Sequence, residues 1–207
     1  MPPAFIYFDV GNVLCFFSRE QQIRQCAEVA GVAEAKIKDL LIGSQGLHWR
    51  YETGEVNDEQ FYDEFCRTTG SRPDPLALRR ANSEIFTFNA TLLPLVGHLE
   101  DAQIPLGILS NTSPSHWQVL TDGRYGILPG AFEKLVLSYE VGALKPEEKI
   151  YRRAIELAGV PPEQIFFADD MIGHIEAARK LGIDAVQYTT TEALWDEFRK
   201  RGVRCNF

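Results

Sequence analysis

The residues able to do chemistry together stand in four places, each after a short apolar run. Asp9 follows Phe5-Ile6-Tyr7-Phe8 and opens the segment Asp9-Val10-Gly11-Asn12-Val13. Ser110 and Asn111 follow the run 104–109, Lys145-Pro146 comes after the run 135–137, and Asp169-Asp170 follow the run 165–168. Apolar runs of this length that end in turn chemistry read as buried strands. In an α/β sheet, ligands bind at the carboxyl ends of the strands. Asp9 alone could be a turn former, and Asp169-Asp170 alone could cap a helix beginning near residue 172. Taken together, a carboxylate nucleophile, a hydroxyl–amide pair, a lysine and a second acidic pair suit phosphoryl transfer assisted by magnesium. That ion takes oxygen ligands and usually only one or two protein carboxylates. Gly11 is read as a residue that lets the backbone turn sharply and approach a ligand closely.

The elements that must position these groups alternate along the chain. Helical patterns near 92–102, 149–158 and 172–181 separate strand-like runs at 104–109, 135–137, 165–168 and 185–188. Such alternation predicts an α/β fold, a doubly wound parallel sheet built from βαβ units. Residues 18–87 differ, with helical patterns at 20–30, 33–42, 58–68 and 75–86. Asn57 is placed to cap the third, with Gln60 as its capping-box partner. The expected organisation is a catalytic core of residues 1–17 and 88–207, with a helical cap, 18–87, inserted over the carboxyl edge of the sheet.

The bulk properties narrow the partners. The chain has 207 residues, 45% hydrophobic and 24% charged, with a formal net charge of −8. An acidic balance disfavours a nucleic-acid or anionic-membrane partner, since both need a basic surface. An anionic substrate must therefore be drawn in locally, by a metal or a few placed cations. Cys15, Cys26, Cys66 and Cys205 form no CxxC pair, so they read as reduced thiols of a cytoplasmic protein. The N-terminal apolar run is broken by Asp9 and lacks a basic leader, against a signal peptide. No stretch is long and apolar enough to span a bilayer.

With these motifs in this order, and a helical insertion between the first and second, the whole chain resembles the haloacid dehalogenase (HAD) superfamily, in particular its phosphatases. The resemblance implies a HAD-like Rossmannoid core with a helical cap. It implies that Asp9 is nucleophile and metal ligand, the Gly11 carbonyl a second ligand and Asp170 the third. Asp169 would stand beside Asp170 or behind it. Ser110 and Asn111 would hold phosphate oxygens, and Lys145 would steady nucleophile and phosphate. The implied cofactor is Mg2+, and the implied substrate a small phosphorylated metabolite. A similar Asp-x-Gly-Asn-Val motif, in a branch that looks like sugar-1-phosphate phosphatases, favours a sugar phosphate. A phosphate dianion meeting the Asp9 carboxylate would be repelled by roughly twice the ~4 kcal/mol of a unit pair at ~4 Å and an effective dielectric near ~20. Magnesium and Lys145 would offset that repulsion.

Two positions depart from the family. Most HAD phosphatases carry an acid/base aspartate where this chain has Gly11, a group typically worth ~10²–10⁴ in rate. The polar cluster His48-Trp49-Arg50-Tyr51-Glu52 makes His48 or Glu52, or the substrate itself, the expected source of the missing proton. Arg50 is a further candidate for substrate contact, and His116 carries no signal. His174 stands where many relatives have an acidic residue, which should weaken magnesium binding. Two other functions fit the same motifs. One is a 2-haloacid dehalogenase, for which the acidic pair would lack a purpose. The other is a non-catalytic binding or regulatory protein that has lost its acid/base group.

Overall fold

A computed structural model describes residues 2–43 and 46–203; Cys205 lies outside them. The chain begins with β1 (Phe5–Phe8) and β2 (Cys15–Phe17). Five helices follow: α1 (Arg19–Ala30), α2 (Glu34–Ile42), α3 (Leu47–Glu52), α4 (Asp58–Thr69) and α5 (Pro75–Ser83). Next come β3 (Phe86–Phe88), α6 (Leu93–Asp101), β4 (Leu106–Ser110), α7 (Pro114–Leu120), β5 (Lys134–Leu137) and α8 (Ser138–Val141). The chain closes with α9 (Glu148–Ala158), β6 (Ile165–Asp169), α10 (Ile172–Lys180), β7 (Asp184–Gln187) and α11 (Thr191–Lys200).

Five strands form one parallel sheet in the order β5-β4-β1-β6-β7. All four β1 residues are buried, as expected for a strand covered on both faces. Successive side chains alternate between two cores. Ile6 and Phe8 pack with Leu95, Leu99, Leu194 and Phe198, from α6 and α11. Phe5 and Tyr7 pack with Ile150, Tyr151 and Ile175, from α9 and α10. The connections run outward on both sides of β1, so the strand order reverses there. A doubly wound sheet opens its ligand crevice at such a switch point, outside the carboxyl ends of the strands. Asp9 lies at that point.

The helices α1 to α5 bury a separate cluster that includes Ile37, Leu41, Tyr51 and Phe65. The chain enters and leaves them through an antiparallel ribbon, β2 against β3, with Cys15 opposite Phe88 and Phe17 opposite Phe86. The helix expected over 75–86 therefore stops at Ser83, and Phe86 belongs to a strand. Two aromatics flanking Thr87 fit a pleated ribbon better than a helix end. The Asn57 capping box is present in both directions, at 2.9 and 3.0 Å. The described cysteines Cys15, Cys26 and Cys66 are free and buried. Among the described residues no helix is long and apolar enough to cross a membrane.

The short α3 is docked on the sheet-bearing part of the chain. Ser138 Oγ, at the start of α8, lies 2.7 Å from the Glu52 carbonyl and accepts from the Thr112 amide at 2.9 Å. The Ser115 amide of α7 donates to the Tyr51 hydroxyl at 3.2 Å. Gly54, at φ 74°, leaves no room for a side chain: a Cβ there would stand 2.3 Å from the Tyr139 carbonyl oxygen. These contacts fix the carboxyl end of α3 over the end of β5.

Candidate active site

Asp9 follows β1, and its amide continues the sheet by donating to Ala168 O at 2.9 Å. Its side chain is turned back by the Val10 amide, which donates to Oδ1 at 2.7 Å. Lys145 reaches the same oxygen from the loop after α8, with Nζ 2.8 Å away. The ammonium also donates to Asp169 Oδ2 at 2.6 Å and to the Leu109 carbonyl at 3.0 Å, which occupies all three of its protons. Lys145 is held there by Asn111, whose Oδ1 accepts from the Lys145 amide at 2.8 Å while Nδ2 donates to the Lys145 carbonyl at 3.0 Å.

Asp169, the last residue of β6, is sealed: besides Lys145 it accepts from the Met171 amide at 2.8 Å and lies 2.9 Å from His174 Nδ1. Asp170 is only half-buried and accepts from Asn12 Nδ2 at 3.0 Å. The left-handed backbone of this turn falls on Asn12, at φ 54°, and not on Gly11. Asparagine tolerates that conformation better than most side chains. A Cβ on Gly11 would instead meet the Phe17 ring at 3.1 Å.

The electrostatics follow from burial and charge count. Desolvation lifts the Asp9 carboxyl to about 6 in spite of Lys145. Burial also works against the Asp169 carboxylate, but Lys145 and His174 outweigh it and hold that group at about 2. Burial disfavours the Lys145 ammonium, yet Asp9 and Asp169 more than compensate and keep its pKa above the ordinary lysine value. Oxygens of Asp9, Asp169 and Asp170 group within 4.8 Å. Three carboxylates against one ammonium, with oxygen donors alone, fit a hard cation such as magnesium. Asp169 is already bonded on both oxygens, which leaves Asp9 and Asp170 as the carboxylates facing the cavity.

That cavity measures about 200 Å³ and brings most of the sequence candidates together: Asp9, Gly11, Ser110, Asn111, Lys145, Asp170 and Glu52 all line it. Besides the sealed Asp169, two candidates fall elsewhere. Arg50 points away, pairing with Glu64 at 2.9 Å and Glu55 at 3.7 Å on the outer side of α3. His48 is buried behind Glu52, with Nε2 2.8 Å from Glu52 Oε1. Helical periodicity explains both: i and i+4 share a face, and position 50 lies off it.

The cavity also holds residues the sequence did not reveal. Arg19, at the start of α1, lies with NH2 3.6 Å from Glu52 Oε1; it touches His48 Nε2 and sits over the Phe17 ring. His116 of α7 lines the wall beside Glu52. Its Nε2 is 3.0 Å from the Asn82 carbonyl, so that nitrogen carries the proton and Nδ1 is bare. Burial drives the His116 pKa down to about 3, and His48 adds to the effect. Burial alone would raise Glu52, but His48 and then Arg19 outweigh it and bring the carboxyl to about 2. An ionised Glu52 has no proton to give at neutral pH, which corrects its expected role as the donor. His48, Glu52 and His116 also group within 4.8 Å. There Arg19 already supplies the positive charge.

The sheet order reverses at β1, and an aspartate–lysine–aspartate set stands at its carboxyl edge. The chain belongs to the haloacid dehalogenase-like hydrolases: the sequence model of that family matches residues 6–182. It is 31% identical over 103 residues to (S)-2-haloacid dehalogenase of Pseudomonas putida, covering 49% of this chain and 44% of that one. The chain thus spans less than half the length of that relative. It is 24% identical over 190 residues to D-ribitol-5-phosphate phosphatase of Bacteroides thetaiotaomicron, covering 88% of this chain and 90% of the relative. Among solved structures, a HAD family enzyme of Bacteroides thetaiotaomicron superposes with TM-score 0.83 at 25% identity, over 96% of this chain and 100% of that one. A complex of that enzyme with magnesium and inorganic phosphate gives TM-score 0.78, also at 25% identity, over 90% of this chain and 94% of the other.

Proposed function

We propose that this chain is a magnesium-dependent phosphatase of small phosphomonoesters, with Asp9 as nucleophile. The carrying observation is the buried bridge Asp9–Lys145–Asp169, with Asp170 beside it at the floor of one cavity. A haloacid dehalogenase would need the nucleophile but not the acidic pair. The 200 Å³ cavity fits a small metabolite phosphate, and a relative along most of the chain acts on a polyol phosphate.

In this reading an Asp9 oxygen attacks phosphorus in line, the ester P–O bond breaks, and the leaving oxygen takes a proton from water or from one of the substrate's own hydroxyls and departs as the alcohol. Water then hydrolyses the aspartyl-phosphate and returns the carboxylate. Lys145 holds Asp9 ionised and oriented, which matters because burial alone favours its protonated form. Ser110, Asn111 and Thr112 line the cavity beside Asp9, where the phosphate oxygens would lie. The Asn111 side chain itself holds Lys145 in place. Asp9, the Gly11 carbonyl and Asp170 would hold magnesium, which when bound neutralises the phosphate dianion against the carboxylates.

A phosphate-release panel of sugar, polyol, nucleotide and aryl phosphates, with and without magnesium, tests this, using Asp9→Asn as the blank. Magnesium-dependent release by the parent chain and none by the variant is expected. Undiminished release by Asp9→Asn, or full activity under chelation, refutes the reading. Halide release from 2-haloacids without metal would instead establish the dehalogenase.

A further inference from the structure

We propose, resting on the phosphatase reading, that Glu52 and His116 form a hydrogen-bond-accepting wall that selects leaving groups carrying hydroxyls. Both line the cavity that contains Asp9. They come from different parts of the fold, Glu52 from α3 and His116 from α7, and are fixed before any ligand arrives. The Glu52 backbone is tied to Ser138 at 2.7 Å, and its Oε1 is held by His48 at 2.8 Å. Among the described residues, Glu52 Oε2 and His116 Nδ1 have no hydrogen-bond partner. A carboxylate oxygen can only accept while ionised, and a bare imidazole nitrogen can only accept.

The wall is thus short of donors, and a hydroxylated leaving group brings them. An alkyl leaving group would take these two acceptors from water and leave them unsatisfied, which is costly. A leaving group with a second carboxylate or phosphate would face Glu52. Arg19 offers it little compensation, because its charge is already balanced by that carboxylate. Burial disfavours the Glu52 carboxylate, but the neighbouring His48 and Arg19 outweigh it and keep Glu52 ionised, while burial keeps His116 neutral. This makes the pair a poor source of protons but a constant pair of acceptors. Phe17 and Phe86 complete the wall with ring surface, on which the C–H face of a polyol can lie.

The test compares kcat/KM for ribitol 5-phosphate and n-pentyl phosphate, matched in carbon count, with 4-nitrophenyl phosphate as a hydroxyl-free reference. The parent protein should prefer the polyol ester over the pentyl ester by at least about 30-fold, the scale of a hydrogen bond to a charged group. Glu52→Gln and His116→Phe should each reduce that ratio by about 10-fold or more, mainly through KM. The parent comparison needs no variant to fold. A parent ratio below about 3-fold overturns the proposal, as does a high ratio that neither substitution changes. Turnover of 4-nitrophenyl phosphate with no polyol preference refutes the wall alone. No turnover of any of the three esters refutes the phosphatase reading as well.

Discussion

Replacing Lys145 by methionine keeps the volume and removes the one buried ammonium of the site. At an effective dielectric near ~20, its contacts at 2.8 Å to Asp9 and 2.6 Å to Asp169 are each worth about 6 kcal/mol of gross attraction. Several kcal/mol of desolvation per buried ion offsets much of that sum, and removing one partner of such a pair costs about 3–5 kcal/mol net. We expect Lys145→Met to lose that much stability at ~pH 7.5, read as the shift in the urea midpoint at constant slope. The deficit should shrink on acidification. Without Lys145 the folded-state pKa of Asp9, already about 6, rises further above its unfolded value. A carboxyl raised in this way contributes stability below its unfolded pKa and loses it as pH rises through the folded one. At ~pH 5 the variant should therefore recover about 1–2 kcal/mol relative to the parent. Magnesium should also stabilise the variant by more than it stabilises the parent, since it would restore positive charge between the same carboxylates. A deficit under about 1 kcal/mol, or one that does not change with pH, would show that the triad is solvated and the electrostatic account wrong.

Three other substitutions probe separate supports of the site. Asn12→Ala removes the bond that orients Asp170 and puts alanine at φ 54°, so half-maximal activation should need about 3–10 times more magnesium; an unchanged titration refutes it. Gly54→Ala forces a Cβ toward the Tyr139 carbonyl at φ 74° and should cost about 2 kcal/mol or more in urea unfolding, while a loss under about 0.5 refutes the tight junction. His116 has a folded pKa of about 3, below its ordinary value, so the unfolded chain binds the extra proton between those limits. Stability should fall as pH drops through that window, by up to ~1.4 kcal/mol per pH unit from this group, and His116→Phe should flatten the slope.

The core of the site was readable because each chemical group follows a strand whose apolar run is unmistakable. Phe5-Ile6-Tyr7-Phe8 ends at Asp9 because a strand covered on both faces tolerates no charge until it reaches the rim. The wall was harder to read. Its residues are joined by tertiary approach and not by spacing: His116 sits in a short helix without clear periodicity, and only the docking of α3 on α7 and α8 brings Glu52 beside it. The ribbon of Cys15–Phe17 and Phe86–Phe88 was hidden for a similar reason. Strands of three residues carry too little alternation to stand out, and the partner residues are far apart in sequence. Nearness in sequence to Glu52 is a poor guide to the cavity: a helix turns Arg50 to another face, and His48, on the Glu52 face, is buried behind that carboxylate.

The absence of a side chain at position 11 has a structural counterpart. The space into which an acidic side chain at Gly11 would grow is bounded by the Phe17 ring, 3.1 Å from the Cβ position. Phe17 belongs to the ribbon that carries the helices and also supports the Arg19 guanidinium. Arg19 in turn helps to hold Glu52 ionised. One aromatic residue therefore connects the missing acid to the accepting wall. A carboxylate at position 11 would crowd that ring and add a fourth negative group beside Asp9, Asp169 and Asp170. Desolvation and like charge would then push the Asp9 carboxyl further toward its protonated, unreactive form. In this chain the local charge balance favours a nucleophile kept ionised by Lys145 over an acid placed next to it.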